Sequence, residues 1–180
     1  MIGRDGYMIP KKIHYCWFGK GKKSKLALKC IRSWRQYCPE YEVIEWNEEN
    51  FDIDMNGYTR MCYAEKKYAY LSDYVRLWVV EKYGGIYFDT DVEVIRSLEE
   101  LLRNDAFFCF ENKQYVASGL GFGSVAHGKV IQAMLKEYEI LLDGKNGVRM
   151  CPKLNTQALV ALGLKQNGRK QNVCEAVIYP

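Results

Sequence analysis

The sequence predicts an α/β layer sandwich in a single domain. Three observations carry this. Short apolar runs alternate with amphipathic stretches along the chain. The first strand, helix, strand passage occupies roughly 35 residues, as a parallel βαβ unit requires. No internal repeat, low-complexity stretch or compositional break divides residues 1–180.

The elements follow in order. Ile9 to Phe18 (IPKKIHYCWF) ends in an apolar and aromatic run without alternation, the pattern of a strand buried on both faces. Gly19 to Lys23 is a loop, and Ser24 is the N-cap of a helix in which Leu26, Cys30, Ile31 and Trp34 recur at helical spacing until Pro39 stops it. Tyr41 to Trp46 (YEVIEW) is the second strand. Asn47 to Arg60 is polar and irregular. Met61 to Tyr83 is helical with a break near Ser72, and Leu71, Val75, Trp78 and Val79 form its apolar stripe. Asp73 and Arg76, three residues apart, share a face of that helix. Gly84 ends it in a left-handed conformation.

Ile86 to Phe88 is a short strand running into Asp89-Thr90-Asp91, with Val92 to Ile95 still extended. Ser97 and Glu100 read as a capping box for a short helix, Ala106 to Phe110 as a strand and Gly119 to Gly123 as a glycine-rich extended piece. Val130, Ile131, Met134, Tyr138, Leu141 and Leu142 mark an amphipathic helix ending near Gly144. Asn155 caps a last helix that stops at Gly163, and Ala176 to Tyr179 is a terminal strand.

Composition bounds the function. A net charge of +4, with no strong basic cluster, is too mild for a nucleic-acid binder. The seven cysteines lack C-x-x-C spacing, which argues against a disulfide framework or zinc cluster and for small core side chains in a reducing compartment. The N-terminus, MIGRDGYMIPKK, lacks the apolar core of a signal peptide, and no later run is long enough for a membrane helix. A cytoplasmic enzyme is the simplest expectation.

The chemistry concentrates in Ser72 to Glu93 (SDYVRLWVVEKYGGIYFDTDVE). On an extended segment Asp89 and Asp91 project the same way and would repel, and a divalent cation relieves the conflict. Alone, D-x-D also describes a solvated turn, Asp73 with Arg76 an ordinary helix ion pair, and Trp17 a core aromatic. His14 and His127 read as structural. Lys20, Lys22, Lys23, Lys25 and Lys29 form a solvated face, whose functional counterpart is attraction of an anionic donor or peripheral contact with a membrane surface.

The block SDYVRLWVVEKYGGIYFDTDVEV resembles the DXD core of the glycosyltransferases that include the yeast initiating mannosyltransferase and bacterial capsular-polysaccharide sugar transferases. It is more distantly similar to the glucosylating domain of the large clostridial toxins. IPKKIHYCWFG resembles the family's first strand and YEVIEWNEENFD its second strand and following loop, so the resemblance runs from Ile9 to about Gly163.

The resemblance implies a GT-A-like (Rossmann-like) mixed sheet flanked by helices, a UDP- or GDP-sugar donor, and Mn²⁺ or Mg²⁺ as cofactor. It assigns Asp89 and Asp91 to the metal and diphosphate, with Asp91 the direct ligand, and Asp73 and Arg76 to the donor sugar hydroxyls. Tyr87 falls beside the diphosphate, Trp17 on the base and Asn50 on the nucleotide; no covalent nucleophile is singled out. The expected reaction moves a hexose, with retention, to a saccharide or lipid-linked saccharide acceptor in capsule or other surface-polysaccharide synthesis at the inner face of the membrane. Family members continue past the region matching Tyr179, which implies a shortened or truncated C-terminus here. The alternatives are a nucleotide-sugar-binding remnant without turnover and a metal-dependent phosphohydrolase, the latter disfavoured by the lack of a further Asp, Asn and His cluster.

Overall fold

The computed structural model describes residues 9–180. Residues 1–8, which carry most of the N-terminal stretch read as lacking a signal peptide, lie outside the described residues. Strand β1 (Lys12–Cys16), helix α1 (Lys25–Tyr37) and strand β2 (Glu42–Trp46) form the first unit. β1 and β2 pair in parallel, with Lys12 opposite Glu42 and Cys16 opposite Trp46, so α1 is the crossover. Ser24 Oγ accepts from the Ala27 amide at 3.1 Å, the cap the sequence predicts.

There follow α2 (Gly57–Ala64), α3 (Tyr68–Tyr83), β3 (Gly85–Tyr87), β4 (Ala106–Cys109), β5 (Phe122–Ser124), α4 (Lys129–Lys136), α5 (Cys151–Ala161), β6 (Gln171–Val173) and β7 (Ala176–Tyr179). The seven strands form one sheet in the order β2-β1-β3-β5-β4-β7-β6. β1 is parallel to both neighbours, whereas β5 runs antiparallel to β3 and β4. The sheet is therefore mixed, as expected.

Strand alternation sends side chains to two cores. Ile13, Tyr15, Ile86 and Phe107 join Cys30, Ile31 and Trp34 of α1 on one face. Cys16, Tyr87, Phe108 and Ile178 join Leu71, Val75 and Val79 of α3, Ile131 and Met134 of α4 and Leu154 of α5 on the other. The result is a three-layer sandwich. Burying a Leu, Ile or Phe side chain contributes about 1.5–3 kcal/mol, so this alternation holds the layers together. Among the described residues no helix is long and apolar enough to cross a membrane.

Several local expectations need correction. The long helix breaks at Glu65–Lys67, not near Ser72: Lys66 turns to φ 56° and the Lys67 amide closes onto Cys62 O at 2.8 Å, ending α2, while Ser72 stays inside α3. The chain turns tightly after Asp89, where the Val92 amide bonds back to Asp89 O at 3.1 Å, and Val92 to Ile95 joins no strand of the sheet. Ser97 Oγ accepts from the Glu99 amide at 3.3 Å, a local turn before a 3₁₀ turn at Leu101–Arg103, in place of a capping box. Gly119 to Gly123 divides between a 3₁₀ turn (Ser118–Leu120) and β5.

Asn155 does not cap α5. The helix starts at Cys151, with Pro152 in its first turn, and Asn155 is fully buried in its interior. Leu26 faces solvent, 53% exposed, so the α1 stripe is narrower than its spacing suggested. Strand β6 had no expected counterpart; its QNV sequence is too short and polar to show periodicity. Five cysteines are buried, Cys109 is partly buried and Cys174 is exposed, and all seven are free.

Candidate functional site

The site forms where α3, the turn after β3 and the 3₁₀ turn before β5 meet. α3 is buried on most of its surface, which carries even Arg76 inside: its side chain is 5% exposed. Helical spacing sets Asp73 one turn earlier on the same face, and Arg76 Nη2 reaches Asp73 Oδ1 at 2.8 Å. The same nitrogen lies 3.1 Å from Asp89 Oδ1, so one guanidinium serves two carboxylates. Arg76 Nε donates to Ser72 O at 3.1 Å, which fixes the rotamer.

A glycine pair brings Asp89 to this point. Gly84 takes φ 63° and ψ 179°, a region open essentially to glycine alone and different from the left-handed helical cap expected. Gly85 (φ 112°) then passes so close to β1 that a Cβ would stand 2.9 Å from Lys12 O. His14 secures the turn, its Nε2 donating to Gly84 O at 2.8 Å while Nδ1 accepts from Trp46 Nε1 at 3.1 Å. β3 thus leaves the turn alongside β1 and delivers Tyr87 and Asp89.

Tyr87 is buried beneath the pair. Its hydroxyl donates to Asp89 Oδ1 at 3.1 Å, and its ring centroid lies 5.0 Å from the Arg76 guanidinium carbon. Burial raises the carboxyl pKa of both Asp73 and Asp89, against the opposing pull of Arg76 and, for Asp89, of the Tyr87 hydrogen bond. Burial by itself would lower Arg76; Tyr87, Asp89 and Asp73 more than reverse it and keep the guanidinium charged.

Two clefts open on either side of the Arg76–Asp89 pair. One, of about 330 Å³, is lined by Trp17, Phe18, Tyr68, Ser72, Tyr87 and Asp91 together with the pair. The other, of about 280 Å³, is lined by Asp73, Asp91, Glu111, Ser118, Gly119 and Cys151 together with the same pair. The first is largely aromatic and suits a flat base. The second is rich in oxygen acceptors and suits a polyhydroxylated group. Asp91 is exposed and borders both.

Asp73, Arg76, Tyr87, Asp89, Asp91 and Trp17 therefore come together. Trp17 Nε1 donates to Gly21 O at 2.7 Å, and Lys23 Nζ lies 5.6 Å from its ring, which holds the indole at the cleft mouth. Asn50 does not join them: its amide bonds Glu45 O at 2.7 Å and accepts from the Asn47 amide at 2.9 Å, closing the turn after β2 in a separate groove. His127 is also remote, paired with Glu81 at 3.0 Å. Lys23 and Lys29 of the lysine run are bound to Glu45 and Glu93, each at 2.7 Å.

Sequence reasoning missed Ser118, Gly119 and Cys151. Arg76 Nη1 makes a long 3.5 Å contact with Ser118 Oγ, which lies 3.0 Å from Cys151 Sγ. A Cβ at Gly119 would collide with Asp89 Oδ2 and stand 3.1 Å from Arg76 Nη1. The repeated glycines of SGLGFG were the only local hint, since the sheet order alone joins residue 118 to residue 76.

Among the described residues no group of three or more His, Cys, Asp or Glu side chains is arranged to hold a metal. Two carboxylates at an open cleft still fit Mg²⁺ or Mn²⁺, which such proteins hold through one or two carboxylates, with substrate phosphates and water completing the shell. Asp91 is the freer donor, because Asp89 Oδ1 already accepts from Arg76 and Tyr87.

Residues 24–108, just under half of the chain, match the glycosyltransferase sugar-binding region containing the DXD motif. Inositol phosphoceramide mannosyltransferase 3 of Schizosaccharomyces pombe is 32% identical over 106 residues, covering 55% of this chain and 29% of its own length. The chain thus spans less than a third of that relative. Among solved structures, the PaToxG glycosyltransferase superposes with a TM-score of 0.69 at 19% identity, covering 86% of this chain and 69% of that one. The UDP-bound glycosyltransferase domain from the YGT toxin gives a TM-score of 0.56 at 11% identity, covering 89% and 69%. The fold is that of GT-A glycosyltransferases, and residues 24–108 are similar to a glycosyltransferase sugar-binding region with a DXD motif.

Proposed function

We propose that this chain, residues 1–180, is a nucleotide-sugar-binding domain of the DXD glycosyltransferases, acting as a metal-dependent enzyme that moves a hexose from a nucleotide diphosphate sugar to a saccharide hydroxyl. The observation that carries the reading is the meeting of Asp73, Arg76, Asp89 and Asp91 between an aromatic and an oxygen-rich cleft.

In this reading Trp17 stacks on the base, a contact worth about 1–3 kcal/mol. Asp73 accepts from a donor sugar hydroxyl, and Arg76 holds Asp73 and Asp89 in place while donating to the same sugar. Tyr87 braces Asp89 beside the diphosphate, and Asp91 with Asp89 holds Mn²⁺ or Mg²⁺. When bound, the cation supplies Lewis-acid relief of charge on the departing diphosphate. The UDP named with the YGT toxin domain supports UDP as the first nucleotide to try.

Asp73 and Asp89 are both engaged by Arg76, which blunts them as nucleophiles. With retention taken from the family resemblance, this argues against a covalent intermediate and for a mechanism in which the departing diphosphate helps to deprotonate the acceptor on the same face. The fission-yeast relative is named for a ceramide lipid, which supports a lipid-linked acceptor.

The test is a thermal-shift panel of UDP, GDP and their sugars with and without Mn²⁺, followed by donor hydrolysis. Binding at 100 times Kd stabilises the folded state by about 2.7 kcal/mol. Metal-dependent stabilisation that Asp91→Asn abolishes supports the reading. The absence of both binding and hydrolysis across the panel overturns it.

A further inference from the structure

The second cleft contains a carboxylate to which the function above gives no role. Glu111 lines it with Asp73, Asp89 and Asp91, and among the described residues Arg76 is the only cationic side chain in the lining. Arg76 is committed to Asp73 and Asp89, and Asp91 belongs to the cation. Glu111 is therefore left without a compensating partner in the cleft.

Its backbone is held firmly. The Glu111 amide donates to Tyr115 O at 2.8 Å, and Phe110 bridges Val116 across the hairpin. Asn112 Oδ1 accepts from the amides of Gln114 and Tyr115 at 2.8 and 3.0 Å. Gln166 Nε2 pins the hairpin tip through Gln114 O at 2.7 Å. The Glu111 side chain itself is exposed on this held backbone, and a negative charge without a cationic partner beside a sugar pocket discriminates by charge, because a like charge close by is repelled whereas a neutral hydroxyl can donate a hydrogen bond to the same oxygen.

We propose that Glu111 is a specificity-determining residue, which restricts the second cleft to neutral or amino-bearing hexoses and rejects uronic acid donors. The inference rests on the nucleotide-sugar reading of the site. The experiment is competition binding, with Mn²⁺ present, of matched pairs: UDP-glucose against UDP-glucuronate, and GDP-mannose against GDP-mannuronate. The unmodified chain prefers the neutral member of the pair it binds by at least tenfold. That ratio shrinks at least fivefold in Glu111→Gln and inverts in Glu111→Lys. General damage to the cleft would weaken both members together and leave the ratio unchanged. Equal affinity for both members, or a ratio that neither substitution moves, overturns the role of Glu111. A chain that binds no member of either pair refutes the nucleotide-sugar reading instead.

Discussion

Arg76 and Asp89 meet at 3.1 Å across the join between a buried helix and the turn after β3. Arg76 is almost wholly buried and also holds Asp73 at 2.8 Å, so a single positive charge is shared between two carboxylates. Removing one member of a buried charge network costs about 3–5 kcal/mol, because the others are left uncompensated. Arg76→Met should therefore lose several kcal/mol in urea denaturation, and the double variant Arg76→Met, Asp73→Leu should recover part of that loss. If Arg76→Met unfolds at the wild-type urea midpoint, the pair is structurally neutral.

The two aspartates of the motif should separate in their effects. Asp91 is exposed at the cleft border, and a surface change of this kind alters stability by no more than about 0.5 kcal/mol. Asp91→Asn should keep the melting temperature but lose the Mn²⁺-dependent shift with nucleotide. Asp89→Asn should lower the melting temperature as well, because Arg76 and Tyr87 both bond to Asp89 Oδ1. Differential scanning calorimetry with and without Mn²⁺ separates the two, and indistinguishable profiles would contradict this division of labour.

Gly119 should tolerate no side chain. Its missing Cβ is the space in which Asp89 Oδ2 sits beside Arg76. Gly119→Ala should weaken metal-dependent nucleotide binding by at least tenfold in calorimetry while the circular dichroism spectrum stays native. Unchanged affinity would mean that the pair can move aside without loss.

His14 should make the fold sensitive to acid. Burial pushes its pKa down from 6.5 to about 4, against the opposing Gly84 hydrogen bond. The folded value lies below the unfolded one, so the unfolded chain takes up the extra proton first. Stability is then complete above about pH 6.5 and is lost as the pH falls toward 4, by roughly 3 kcal/mol over the whole range. Asp73 and Asp89, raised by burial, give the opposite slope near the ordinary carboxylate range. Urea midpoints between about pH 5 and 7 should fall with acidification, and fall less in His14→Gln, whose amide does not titrate. A flat wild-type profile would remove the histidine effect.

The layers of the fold were legible because helical and strand periodicities differ and because caps such as Ser24 leave a local signature. The pairing of Asp73 with Arg76 was legible for the same reason, since three residues along a helix fix a shared face. What failed depended on local turns and helix starts with no clear signature and on contacts distant in sequence. Asp89 and Asp91 were expected side by side on a strand, but the turn closed by Val92 sets the first, half-buried, against Arg76 and leaves the second in solvent. Asn155 looked like a cap because asparagine favours helix starts, yet Pro152 had already begun the helix three residues earlier. Ser118, Gly119 and Glu111 reach the site only through the neighbours that β5 and β4 find in the sheet.

The antiparallel insertion of β5 between β3 and β4 also bears on how such a protein can change. β3 leaves toward the site and β5 enters from it, so Asp89 belongs to an outgoing segment and Gly119 to an incoming one. The hairpin from Phe110 to Val116 hangs between β4 and β5 without itself crossing the sheet. Lengthening or exchanging that hairpin would reshape one wall of the second cleft while the strands stay in register. The fold thus keeps the charged pair on its fixed frame and leaves the neighbouring wall open to replacement, a modular route by which relatives could diverge in the sugars they accept.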